Sequence, residues 1–239
     1  MFGLSRLSPV QLLVLLVIGL LLFQAPLLQA VRDPTAFVGI VVALIVGITV
    51  HEASHATMAV ALGDPTPRLA GRVSLNPMRH LDPIGSLMLF IASFGWGKPV
   101  VFNPNLLRGD QRLGSALVAA AGPISNILVA LLGVIWLIHG ADLGRPGDQV
   151  LQMVIAINVA LAAFNLIPIP PLDGFGFITN LLPRELAAPL MPLAQYGPII
   201  LLALVFLGPA LHIDLLGVIM DPIRQAIMRF ILMAARVGA

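Results

Sequence analysis

Phe37 to Leu62 reads FVGIVVALIVGITVHEASHATMAVAL. The stretch is long and apolar enough to cross a bilayer as a helix. Inside it stands His51-Glu52-Ala53-Ser54-His55, broken out of a run of Val, Ile, Ala, Leu, Gly and Met. Two imidazoles and a carboxylate in such surroundings cost on the order of several kcal/mol unless something compensates them. A bound metal does so most directly. On a helix this spacing puts both histidines on one face with the glutamate beside them, the geometry of zinc hydrolases. The competing reading is a pair of core histidines hydrogen-bonded to neighbouring helices. Chance is a poor explanation: the chain has five His and two Glu, and shuffling them yields H-E-x-x-H in roughly one chain in a thousand.

Working outward, the composition agrees with that helix. The 239 residues are 59% hydrophobic and 10% charged, with a mean hydropathy of +1.00, against about 25% charged in a soluble domain. The chain reads as an all-α polytopic membrane protein. Five to six transmembrane helices of about 20 residues and a small re-entrant β element fit in one membrane-embedded domain, 1–239. The lipid bilayer is its expected surroundings. With no cysteine, disulfides and thiolate metal sites are excluded, so metal ligands must be His, Asp or Glu. The net charge of +2 is spread without a basic, aromatic-interleaved run, which leaves no case for nucleic acid.

The expected spans follow in order. Val10–Ala30 is the first, with a signal peptide as its competitor, since Arg6 precedes it and Leu28-Gln29-Ala30 weakly resembles a cleavage site. Phe37–Leu62, Leu113–Ile138, Gln149–Ile167 and Leu190–Leu211 are the next four. Leu215–Val237 is either a sixth or an interfacial helix, because Asp221, Arg224 and Arg229 thin its apolar character. Pro83–Phe94 is apolar but too short to cross, which suits a re-entrant segment. Phe94-Gly95-Trp96-Gly97-Lys98-Pro99-Val100-Val101-Phe102 is glycine-rich and then β-prone. Its alternatives are extended backbone lining a cavity and an interfacial loop anchored by Trp96.

Arginines set the expected orientation. With the N-terminus inside, the cytoplasmic segments hold Arg6, Arg68, Arg72, Arg79, Lys98, Arg108, Arg112 and Arg184, against Arg32 and Arg145 outside. The plasma membrane is the expected location. His51 and His55 then lie in the cytoplasmic half of the bilayer, and Asp173 follows the fourth span on the same side. A catalytic zinc takes three protein ligands and leaves a position open. His139 and His212 fall at the opposite face, and His80 lies in a basic loop. Asp173, in Pro170-Pro171-Leu172-Asp173-Gly174, is the better third ligand, the alternative being that this segment is a plain turn.

Three motifs in order then carry a resemblance: HEASH, the Gly122-Pro123-Ile124-Ser125-Asn126 run, and Asn165-x-x-Pro168-x-Pro170-x-Leu172-Asp173-Gly174. Over about 37–180, the expected catalytic core, the chain resembles the site-2 protease family of intramembrane zinc metalloproteases, nearest to compact members without a PDZ domain. The resemblance implies one zinc per chain held by His51, His55 and Asp173, with Glu52 as the catalytic carboxylate. It implies that Asn126 helps hold substrate or the oxyanion, where the residues alone allow small-residue helix packing. It makes the Phe94–Gly97 segment similar to a re-entrant β element that holds substrate extended. Asn158 and Asn165 are expected to cap backbone freed by the prolines. The expected partner is a transmembrane protein substrate, and the oligomeric state cannot be read. The competing functions are a membrane metal-binding or transport protein and a scaffold that binds helices without cutting them.

Overall fold

A computed structural model describes residues 33–83, 85, 97–207, 211 and 213–236. The expected first span, Val10–Ala30, and nearly all of 83–96 lie outside those residues. The described chain is helical: α1 (Pro34–Ala61), α2 (Gln111–His139), α3 (Gly144–Asn165), α4 (Asp173–Leu181), α5 (Leu193–Leu202) and α6 (Leu215–Arg236), with short turns between.

Each long helix starts where its chemistry dictates. Asp33 caps α1 by accepting from the amides of Thr35 and Ala36, with Pro34 in the first turn, where its missing N–H costs nothing. Asp110 caps α2 through Arg112 and Leu113. Helices α1, α2 and α3 are long and apolar enough to cross a membrane. Close approaches of Gly39 to Met153 and of Gly47 to Asn158 make α1 parallel to α3. The pairing of His51 with Asn126 and of His55 with Val118 makes α1 antiparallel to α2. Buried Ala43, Ala53, Ala56, Ala116, Ala121, Ala130, Ala162 and Ala163 line these seams. Small residues let backbones approach closely where lipid gives no hydrophobic drive.

Among the described residues three helices qualify as membrane spans, and a bent pair brings the total to at most four; the expected first span lies outside those residues. That pair, Arg184–Leu190 and Leu193–Val205, meets at 51° in the region expected as the fifth span. Pro189 and Pro192 end one helical piece before the next begins, since proline lacks the amide and clashes with the preceding turn. Helix α6 carries Asp221, Arg224, Arg229 and Arg236, and it does not qualify as a span. It buries Ile227, Ile231 and Ala235 against Ala130, Val134, Ile155 and Val159 of α2 and α3.

Between α1 and α2 the chain is irregular and tied down by polar contacts. The carboxylate of Asp64, fully buried, accepts from the Thr66 amide at 2.9 Å, the Thr66 hydroxyl at 2.6 Å and the Asn103 amide at 2.6 Å. The Arg72 guanidinium donates to the carbonyls of Arg79 and Lys98. Among the described residues there is no strand. Where a β element was expected there is one isolated antiparallel bridge, Leu81 to Gly97, with the Lys98 amide donating to the His80 carbonyl at 2.6 Å.

Candidate metal centre

Four-residue spacing in α1 brings His51 and His55 onto one face, about 15 and 9 Å from the Ala61 end of the helix. Both are 7% exposed. Their Nε2 atoms lie 3.1 Å apart. The third member arrives from α4, whose first residue is Asp173. Its Oδ2 lies 3.0 Å from Nε2 of His51 and 3.3 Å from Nε2 of His55. No other group of three or more potential ligands gathers among the described residues. His80 is elsewhere, with Nε2 donating to the Ser74 carbonyl at 2.6 Å. His139 ends α2 at the far side of the bundle, and His212 lies outside the described residues.

The backbone explains how Asp173 gets there. Three prolines in 168–171 cannot continue α3, so the chain turns and re-enters as α4. Gly174 then lies directly against the end of α3: a Cβ on it would stand 2.3 Å from the Leu166 carbonyl oxygen. Any side chain there would push Asp173 away. Arg112, at the start of α2, donates to the carbonyls of Thr179 and Leu182 and holds the other end of α4.

Hydrogen bonds fix where the imidazole protons sit. Nδ1 of His55 faces the Val118 carbonyl at 2.7 Å, which can only accept, so Nδ1 carries the proton. Nδ1 of His51 faces Oδ1 of Asn126 at 2.7 Å. The Asn126 amide group is turned the other way, donating to the Gly47 carbonyl at 3.0 Å and to Oδ1 of Asn158 at 2.8 Å. With Nδ1 protonated, the neutral form of each ring directs its Nε2 lone pair to one point. Oδ2 of Asp173, buried and without a hydrogen-bond partner, is directed at the same point. Three lone pairs so placed repel one another unless a proton or a metal cation lies between them. The separations of 3.0, 3.1 and 3.3 Å are close to the roughly 3.3 Å between ligands of a tetrahedral ion bound at about 2.0–2.1 Å. Room for the ion comes from α2, where Gly122 faces the cluster without a side chain. The donor set, the separations and the space all fit a zinc ion.

Glu52 points to the adjoining side. Its Oε2 is 4.0 Å from the Arg72 guanidinium. A Cβ on Gly97 would stand 3.4 Å from Oε1 and 3.1 Å from the His80 carbonyl. The bridge between 81 and 97 thus runs past the carboxylate.

Asn126 departs from its expected use. Both hydrogens of its amide are engaged and the side chain is fully buried, so this geometry offers no donor to an oxyanion. Its oxygen serves His51 instead. Asn165 donates to the Leu161 carbonyl at 3.0 Å, four residues back inside α3 and not one of the groups that the prolines free. Asn158 likewise donates to Val154 and also meets Asn126. Two participants went unread in the sequence, the Val118 carbonyl and Gly122. The signal was there: Val118, Gly122 and Asn126 recur every four residues, one face of α2.

Comparison with known proteins agrees with this chemistry. The chain is 38% identical over 173 residues to the Bacillus subtilis protein named "Putative zinc metalloprotease YwhC", covering 69% of this chain and 78% of that one. It is 33% identical over 201 residues to "Putative zinc metalloprotease Rip2" of Mycobacterium tuberculosis H37Rv, covering 78% and 75%. For the protein of that name in Mycolicibacterium smegmatis the identity is 31% over 198 residues, covering 75% and 72%. No protein-family model and no solved structure matches.

Proposed function

From the premise that this chain belongs to the zinc metalloprotease family of YwhC and Rip2, we propose that it is an intramembrane endopeptidase of the site-2 protease type. It hydrolyses a peptide bond within or near the transmembrane segment of a membrane-protein substrate. The observation that carries the reading is the convergence of two bare imidazole nitrogens and an orphaned carboxylate oxygen inside a bundle of membrane-length helices.

His51, His55 and Asp173 hold one zinc per chain. When bound there, zinc supplies a Lewis acid and brings the pKa of water toward about 7. Glu52, beside His51 on the same helix, takes the proton from the attacking water and gives it to the departing amine nitrogen. The carbon–oxygen bond forms first, placing charge on the carbonyl oxygen; the carbon–nitrogen bond then breaks as that charge collapses and the protonated amine departs, and no other reactant is needed. Asn126 and the Val118 carbonyl hold the two rings so that neither turns during turnover. A helical substrate hides its amides, so it must unwind locally, and helix-breaking residues near the cleaved bond favour it.

The site lies at the end of the bundle where α1 finishes and the loop with Arg68, Arg72, Arg79, Lys98 and Arg108 begins. By the positive-inside rule that end faces the cytoplasm, and the protein resides in the plasma membrane.

The test is zinc content together with cleavage of a model transmembrane substrate by the wild type and by Glu52→Gln. The variant keeps its zinc and loses cleavage, by about 100-fold or more if Glu52 is the acid–base group. Equal cleavage by both proteins would remove the reading. Metal uptake across vesicles that survives Glu52→Gln, with no cleavage by either, would establish transport instead.

A further inference from the structure

We propose that Asn158 is a positioning residue for the metal centre, acting through Asn126 on the ring of His51. The inference rests on the reading of His51 as a metal ligand. Asn158 is fully buried in α3, and its side-chain hydrogen bonds go to Asn126 and Val154 and to none of the three ligands. Its Nδ2 donates to the Val154 carbonyl at 2.8 Å. A carbonyl can only accept, so this bond fixes the amide and turns its oxygen toward Asn126. That oxygen accepts one Nδ2 hydrogen of Asn126 at 2.8 Å, and the Gly47 carbonyl accepts the other at 3.0 Å. With both donors committed, Asn126 can offer His51 only its oxygen, at 2.7 Å. The proton is held on Nδ1, and Nε2 faces Asp173 and His55 as a lone pair.

The polarity of this chain is set at a backbone carbonyl in α3 and delivered to the site in α1 by way of α2. Asn165, in the same helix, shows the plain local arrangement: a side-chain hydrogen bond to the carbonyl four residues back and no further side-chain link. Without the Asn158 oxygen, one Asn126 hydrogen is left buried and unpaired. The amide can then turn over and present its nitrogen to His51. That turn favours the tautomer with the proton on Nε2, which blocks the metal.

The test is zinc affinity of the full-length protein in detergent, measured by competition with a chromophoric chelator. Asn158→Leu, close in shape but without polar atoms, is expected to bind zinc about 10- to 100-fold more weakly, the usual cost of losing an outer-shell partner. Asn158→Asp, protonated in this buried site so that its O–H donates to the Val154 carbonyl, keeps an oxygen toward Asn126 and is expected to stay near wild-type affinity. Unchanged affinity in Asn158→Leu overturns the proposal, as does equal loss in the Leu and Asp variants, which would mean that the oxygen toward Asn126 is not what maintains the affinity. If Asn158→Leu does not accumulate, Asn158→Ala makes the same comparison. A wild type that binds no zinc removes the metal-centre reading and this inference with it. A wild type that binds zinc while Asn158→Leu binds equally removes this inference alone.

Discussion

Gly122 lies so close to His55 that a Cβ built on it would stand 2.3 Å from Nε2, and 2.6 Å from Nε2 of His51. An added methyl would occupy the space between the ligands. Gly122→Ala is therefore expected to lose bound zinc and cleavage together, although no ligand is changed. Metal analysis of the purified variant checks this, with far-ultraviolet circular dichroism to show that the helices remain. Stoichiometric zinc in that variant would place the ion somewhere other than this triangle.

Gly174→Ala tests the same site from the backbone. Its Cβ would fall 2.3 Å from the Leu166 carbonyl oxygen, and backbone cannot yield as a flexible side chain does. Helix α4 must shift outward, carrying Asp173 with it. We expect destabilisation of about 1–3 kcal/mol, the usual result of overpacking, and weaker zinc binding, read from thermal melts with and without added metal. Wild-type zinc affinity would show that Asp173 does not need this position.

Metal removal should cost stability as well as activity, because the ligands come from two helices far apart in the chain. A ligand present at 100 times its dissociation constant stabilises the folded state by about 2.7 kcal/mol. Stripping zinc with a chelator should lower the melting temperature, and adding zinc should restore both the melt and cleavage. The melt should respond much less in His55→Ala. An equal response there would assign the stabilisation to another site.

Asp64 gives a prediction about pH away from the metal. Burial works to raise its carboxyl, and hydrogen bonds from Thr66 and Asn103 outweigh burial and hold it below the ordinary carboxylate range. A carboxyl lowered by folding stabilises the protein fully above its unfolded value of about 3.9, and the contribution disappears as pH falls through the lowered value. Asp64→Ala leaves the Thr66 and Asn103 donors without their acceptor and should destabilise by about 1–3 kcal/mol at neutral pH. The difference from wild type should shrink below about pH 4 in melts across the acid range. A gap that stays constant with pH would mean that the carboxylate's charge contributes nothing.

How far the sequence was legible depended on whether a signal was local. HEASH states its geometry through helical spacing alone, and capping by Asp33 and Asp110 follows the same local rules. Asp173 was reachable because few other ligands remained on its side of the bundle. The broken helix at Pro189 and Pro192 was harder: its average hydropathy suggests a span, and only the spacing of its prolines says that it bends. The bond from Asn126 to His51 was not legible because an amide offers either a donor or an acceptor. Which end faces the histidine depends on carbonyls of Gly47 and, through Asn158, of Val154, in two other helices. Gly122 matters through space it leaves empty, which no residue type announces.

Arg72 reaches from the loop to within 4.0 Å of Glu52, and a tally of formal charges gives that contact a consequence. Glu52 and Asp173 together carry two negative charges, and a divalent zinc returns the sum to zero. Arg72 adds one positive charge beside that set, and the loop that holds it also carries Arg79 and Lys98. The pocket as a whole is then biased to favour whatever gains negative charge inside it, as a carbonyl oxygen does when water attacks.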